Sequence, residues 1–255
     1  MGKEAFAKQL MRLNSSNYII AYLDILGASK FMAEDSEFFL NDLNIIHEEA
    51  IRDVAFTNVI TKKDISIKIF SDNILIAVKT TKNDINRKDK IEKMFNLAGN
   101  IYINALNKGY LIRGAITEGK FYKNETFVFG KALVEAVNIE ESIAIYPRII
   151  LQDSLIPFAS EYALQDNDGK YYLNCFIYPT GLKHVNYKYQ ILEQLKLNKD
   201  KEEIKQKIMW LVSYFNSFYS SPLARAVEHP QISSEDISEA LLSNNIENSE
   251  VANAC

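Results

Sequence analysis

Between Asn17 and Ile177 the apolar residues change period again and again. Short runs rich in β-branched and aromatic side chains alternate with stretches spaced by three and four residues, and no other feature of the chain restricts the fold as strongly. Asn17 to Asp24 (NYIIAYLD) reads as a buried strand that stops at a carboxylate, and the Ile-Leu-Gly after it marks a turn. From Ser36 onward, Phe39, Leu43, Ile46, Ala50 and Val54 recur at helical spacing, so an amphipathic helix is predicted to pack on the sheet. Asp64 to Lys79 (DISIKIFSDNILIAVK) reads as a hairpin with Asp72 near its tip, because the short polar side chains of Ser71-Asp72-Asn73 hydrogen-bond their own backbone and favour a turn.

A second helix is predicted on Ile91, Phe95, Ala98, Tyr102 and Ala105, followed by a strand from Tyr110 to Ile116 that pairs with Thr126 to Phe129. Gly130 opens a helix to about Ile145, Pro147 stops it, and Arg148 to Leu151 is a further strand. A helix from Ser154 to Leu164 and a strand from Lys170 to Ile177 complete the series. This order implies an α+β sheet with helices on one face. Ile204, Ile208, Leu211, Phe215 and Phe218 then mark a long helix covering the core, and Glu235 to Leu242 a short one in a loosely held tail. The expected division is a domain over residues 15–180 and a helical extension and tail over 181–255.

A chain of 255 residues with 47% apolar and 24% charged side chains can bury a full core. With 29 Lys and Arg against 33 Asp and Glu, the net charge of −4 argues against a broad basic face for nucleic acid. The apolar run Tyr18 to Leu23 is ended by Asp24, far short of the roughly 20 residues of a spanning helix, so no membrane segment is expected. The two cysteines, Cys175 and Cys255, form neither a metal motif nor a disulfide framework. That fits a reducing, cytoplasmic location. The histidines His47, His184 and His229 are too scattered to be read as ligands.

Asp24 at a strand end and Asp72 at a hairpin tip are the informative pair. Two unit negative charges about 4 Å apart repel by roughly 4 kcal/mol at an effective dielectric near 20, so such a pair usually exists to hold cations, and hard divalent metals suit it. Either aspartate alone could be no more than a turn residue. Arg113 offers a planar guanidinium suited to phosphate oxygens, or else an ion pair with Glu118 or Asp24. Lys68 shares the strand-face parity of Asp72 and points into the same cleft or to the surface. Gly27 and Ala28 would let backbone N–H groups approach a polyphosphate beside a helix start. A haloacid dehalogenase would need a second aspartate at the position of Leu26.

The ordered set Tyr22-Leu23-Asp24-Ile25-Leu26-Gly27, Lys68-Ile69-Phe70-Ser71-Asp72, Arg113-Gly114-Ala115-Ile116 with Gly119, and Phe129-Gly130 opening a helix resembles the class III nucleotidyl cyclases. Phe129 to Ala136 (FGKALVEA) with Glu140, then Tyr146-Pro147-Arg148-Ile149, looks most like the pyrimidine cyclases of Pycsar anti-phage systems. The resemblance covers residues 17–151. It implies a ferredoxin-like palm, two divalent ions (Mn²⁺ or Mg²⁺) on Asp24, Asp72 and the backbone of Ile25, a triphosphate contact from Arg113 and a nucleobase contact from Lys68. Purine cyclases carry a base-contacting acid, an asparagine and an arginine along the helix; here Lys131, Val134 and Asn138 occupy that helix. The resemblance therefore implies a cyclase acting on UTP or CTP to make cUMP or cCMP, a messenger for a separate effector protein. It also implies a homodimer with sites at its interface, to which the Ile204–Phe218 helix is a candidate contributor. The alternative is an inactive nucleotide-binding or dimerisation module of the same fold.

Overall fold

The computed structural model describes residues 15–55, 65–80, 85–178, 183–221 and 231–243. Strand β1 (Ser16–Ile25), helix α1 (Ala28–Ala55), strands β2 (Ile65–Phe70) and β3 (Asn73–Thr80), helix α2 (Arg87–Asn107) and strand β4 (Ile112–Lys123) follow one another. The strands lie side by side as β2-β3-β1-β4, each pair antiparallel. This βαββαβ order is the ferredoxin-like palm that the resemblance implies. β1 is paired on both edges, which is why its stretch from Ile19 to Leu23 is almost wholly apolar.

Strand alternation then divides the residues between two faces. Ile19, Ala21, Leu23 and Ile25 are buried in the cluster that contains Phe39, Leu43 and Ile46 of α1 and Phe95, Ala98 and Tyr102 of α2. Tyr18, Ile20, Tyr22 and Asp24 take the other face. Helix α1 begins at Ala28 rather than near Ser36 and is broken at Asp35, whose φ of −156° and ψ of 94° are extended. There the Asp35 carboxylate accepts from the Phe38 N–H at 2.9 Å, recapping the helix after two turns.

The second face is not bare. Helix α3 (Lys131–Ser142), which follows the short β5 (Val128–Phe129), packs there through Ala132 and Ala136. Helices thus cover both faces of the palm, α1 and α2 one and α3 the other. Small residues make this close approach possible. Gly130 enters α3 with φ 150°, and a Cβ there would lie 2.4 Å from the Lys120 carbonyl; Thr117 Oγ1 donates to the Ala132 carbonyl at 2.9 Å.

Strand β6 (Ile149–Leu151) runs parallel to β4 and continues the sheet through β8 (Tyr171–Leu173) to β7 (Ala163–Gln165). Two expectations fail here. In place of a helix over 154–164 there is a 3-10 turn from Asp153 to Phe158 containing Pro157, and then β7; a proline lacks the N–H that a continuing helix needs. The strand expected to reach Ile177 ends at Leu173 and gives way to a 3-10 turn, where buried Cys175 donates its N–H to Tyr214 Oη at 2.7 Å.

The extension consists of α4 (Lys183–Leu197), α5 (Glu202–Ser220) and α6 (Ser234–Leu242). α4 went unread in the sequence, although Tyr187, Ile191 and Leu195, four apart, are fully buried. α5 buries Ile208, Leu211, Phe215 and Phe218 in the chain's own core, so the face expected to be a contact between protomers is already used. α6 is held rather than loose. Ser233 and Asp236 form a reciprocal cap at its start, and Lys188 pairs with Asp236 at 2.8 Å. His229, Cys255 and the His184 side chain lie outside the described residues. Among the described residues no helix is long and apolar enough to cross a membrane.

Candidate active site

Three cross-strand rows form the palm face beneath α3. Register places Phe70, Asn73, Asp24 and Arg113 in the first, Lys68, Leu75, Tyr22 and Ala115 in the next, and Ser66, Ala77, Ile20 and Thr117 in the third. The first row gathers the polar chemistry. Asp72 lies in the two-residue connection between β2 and β3, preceded by Ser71 in a left-handed conformation at φ 56°. The Ile25 N–H donates to the Asp72 carbonyl at 3.1 Å, fastening the hairpin tip to the end of β1. The two aspartates are thereby brought to one end of the sheet, as their positions in the chain imply.

Their charges act on each other. Burial raises the Asp24 carboxyl above its ordinary value; Arg113 opposes this, Asp72 adds to it, and Lys207 of α5 lowers it. Arg113 Nε donates to Asp24 Oδ2 at 3.0 Å, and its Nη2 lies 2.6 Å from Glu140 Oε1 as an ion contact without hydrogen-bond alignment. Of the two readings open for Arg113, the ion pair with Asp24 is present. Glu118 points to the opposite face and binds Arg87, with Nη2 to Oε2 at 2.5 Å.

Glu140, part of the resemblance in the sequence but given no role there, joins the site. It is only 4% exposed, and it follows Ala132 and Ala136 at a spacing of four, so it lies on the buried stripe of α3. That spacing was the available signal. Burial pushes Glu140 up to about 7; Arg113 pulls it down, and Asp24, Glu141 and Asp72 push it further up. The neighbouring Tyr22 hydroxyl is pushed to about 12, first by burial and then by the charges of Glu140, Asp24 and Asp72.

A testable consequence concerns pH. Folded Glu140 keeps its proton to about 7 where the unfolded chain releases it near the ordinary 4.5, so between these values the native state binds more protons and stability falls as pH rises. Glu140→Gln removes that slope. In EDTA, the variant should gain on the wild type by on the order of 2–3 kcal/mol between pH 4.5 and 8, read as a widening difference in denaturation midpoint. A constant difference would place the titration elsewhere.

The remaining sequence candidates are placed as follows. Lys68 Nζ donates to the backbone carbonyls of Asn124 at 2.7 Å and Glu125 at 3.2 Å, tying β2 to the β4–β5 turn on the site face. Gly27 has φ 76° with open space around it, so a left-handed turn residue is required there. Ala28 is 1% exposed with its methyl in the core, leaving only its backbone to meet a ligand, and the break at Asp35 shortens the helix behind it. Ile25 is likewise buried and has only backbone to offer. Among the described residues no group of three or more His, Cys, Asp or Glu side chains is arranged around one point as a finished metal site. Asp24 and Asp72 nevertheless suit a hard divalent ion: they are oxygen donors of like charge at one end of the sheet that feel each other's field, with the Arg113 guanidinium as the counter-charge.

No protein-family model and no curated protein matches the chain. Among solved structures, the adenylyl cyclase CyaB from P. aeruginosa is similar, with a TM-score of 0.47 and 14% identity over 63% of this chain and 94% of that one.

Proposed function

We propose that the chain is a nucleotidyl cyclase that converts UTP or CTP to the 3′,5′-cyclic monophosphate and pyrophosphate. The observation that carries this reading is the end of the sheet at Asp24: Asp72 lies in the turn fastened there by the Ile25 N–H, and Arg113 is hydrogen-bonded to Asp24. Asp24, Asp72 and the Ile25 carbonyl would hold two divalent ions, Mn²⁺ or Mg²⁺. When bound, these would acidify the ribose 3′-hydroxyl and neutralise the β- and γ-phosphates.

The chain's own part is to bend the nucleotide and place charge. Nucleophile and electrophile belong to one molecule, so attack of the 3′-oxygen on the α-phosphorus needs orientation more than new reactive groups. Arg113 would leave Asp24 as the substrate enters and turn its guanidinium to the triphosphate oxygens, while Glu140 keeps the other end of the fork in place.

The pyrimidine preference follows the resemblance, and so does a role in anti-phage defence through a separate effector. Lys131, Val134 and Asn138 form one exposed stripe of α3, pointing away from the chain's own sheet. That supports a homodimer in which this stripe faces the partner's site. Phe127, Phe129 and Val134 are 58%, 74% and 58% exposed and supply apolar surface for such a pairing.

The test is to incubate purified protein with Mn²⁺ and each of the four ribonucleoside triphosphates and to resolve the products by mass. Cyclic UMP or cyclic CMP with stoichiometric pyrophosphate is expected. Absence of any cyclic nucleotide would leave the inactive binding module of the same fold.

A further inference from the structure

A cavity of about 260 Å³ opens beside the end of β1, between the first turns of α1 and the corner joining α4 to α5. Gly27, Ser29 and Lys30 form one side of it, Leu111 its floor, and Lys201 and Lys207 the side supplied by the extension. No acidic residue lines it. Three lysines around one concavity without a carboxylate is an unusual balance in a chain that carries an excess of acid.

The neighbouring lysines are already engaged. Lys205 pairs with Glu202 at 2.5 Å, Lys196 with Glu193 at 3.9 Å, and Lys199 donates to the Ser243 carbonyl at 2.9 Å. Lys30 reaches only Glu34, at 3.6 Å on the surface. Lys201 and Lys207 make no ion pair among the described residues, although Lys207 is half-buried. Lys201 is exposed and Lys207 half-buried, and no carboxylate of the cavity lining lies between them, so a polyanion seated there would supply a counter-charge to both. The charge of Lys207 is also felt at Asp24, so the cavity lies within electrostatic reach of the aspartate pair.

We propose that this cavity is a polyphosphate subsite, in which Lys201 and Lys207 of the C-terminal extension hold the phosphate end of the nucleotide or the pyrophosphate it releases. The assignment rests on the cyclase reading for its substrate, while the anion chemistry stands on the lysines alone. The extension thereby acquires a task beyond covering the core: it closes the phosphate end of the cleft, at the side of Asp24 away from α3. Both sources share one chemistry, a chain of phosphate oxygens carrying several negative charges.

The test uses the full-length chain and three variants, Lys201→Gln, Lys207→Gln and the double substitution, with Lys205→Gln as a control on the same helix. Inorganic tripolyphosphate and pyrophosphate are titrated calorimetrically, and nucleotide turnover is measured in parallel. The double variant should bind tripolyphosphate at least about tenfold more weakly and raise KM by a similar factor while kcat changes far less, because each lost charge-assisted contact contributes about this much. The control should match the wild type. A matching loss for pyrophosphate identifies the leaving group as an occupant; a loss for tripolyphosphate alone restricts the site to substrate. Unchanged affinity for both anions in the double variant, with an unchanged melting temperature, overturns the subsite even if the chain cyclises nucleotides. Lysine-dependent anion binding in a chain that cyclises none of them would keep the subsite and remove the cyclase.

Discussion

Asp72→Ala is expected to lower cyclase turnover by about a thousandfold while leaving the melting temperature nearly unchanged. The first half follows from charge: a carboxylate that shares an ion with Asp24 contributes electrostatic stabilisation where the triphosphate charge changes, and one such group in a water-poor site typically supplies two to three powers of ten. The second follows from position. Asp72 lies in a turn, among the described residues its carboxylate accepts only from the neighbouring Asn73 side chain at 2.9 Å, and its charge works against Asp24. Removing it costs one local hydrogen bond and relieves a repulsion, so the two effects on stability nearly cancel. A folded variant with turnover within threefold of the wild type would separate this residue from the chemistry.

The largest effect on stability is expected at Arg148, just before β6 and one strand beyond β4. The side chain of Arg148 is 1% exposed, and its Nη1 meets Asp166 while Nη2 reaches Asp168 at 2.5 Å and the Ile143 carbonyl at 3.2 Å. Trp210 of α5 donates Nε1–H to the same Asp166 oxygen at 2.8 Å, and its ring stacks on Tyr146 with centroids 5.5 Å apart. One guanidinium thus joins β6, the β7–β8 turn and the extension. Arg148→Met preserves much of the volume but leaves the mostly buried Asp166 carboxylate with no cation, and stranding a charge in this way costs about 3–5 kcal/mol. For a chain of this size the melting temperature should fall by roughly 10 °C. A drop of less than 2 °C would show that the extension is held by its apolar face alone.

What could be read in the sequence, and what could not, divides along the range of the interactions. The succession of strands and helices was legible because its signals are local, an uninterrupted apolar strand for a central position, the Ser71-Asp72-Asn73 turn and the periodic face of α2, whereas the palm itself followed from the resemblance. The meeting of Asp24 with Asp72 followed from topology, since a strand end and a hairpin tip on adjacent strands must fall together. Glu140 stood out only within the resemblance; its place beside Arg113 depends on which face of the sheet α3 covers, and Gly119, Ala132 and Ala136 allow that face only once the chain has turned back. The partners of Arg148 lie about twenty residues on and then in α5, separations over which no pattern of spacing carries information. Nothing in the sequence distinguishes Lys201 and Lys207 from the other lysines around them; only the fold brings these two to one cavity.

The claim on which the rest depends is that Asp24 and Asp72 grip divalent ions together against a polyphosphate. Titrating Mn²⁺ by electron paramagnetic resonance into the wild type and the Asp72→Ala variant, each with a 3′-deoxy pyrimidine triphosphate that cannot cyclise, tests it directly. Two ions per chain in the wild type and the loss of at least one in the variant are the predicted result. Identical Mn²⁺ binding by both proteins would contradict it.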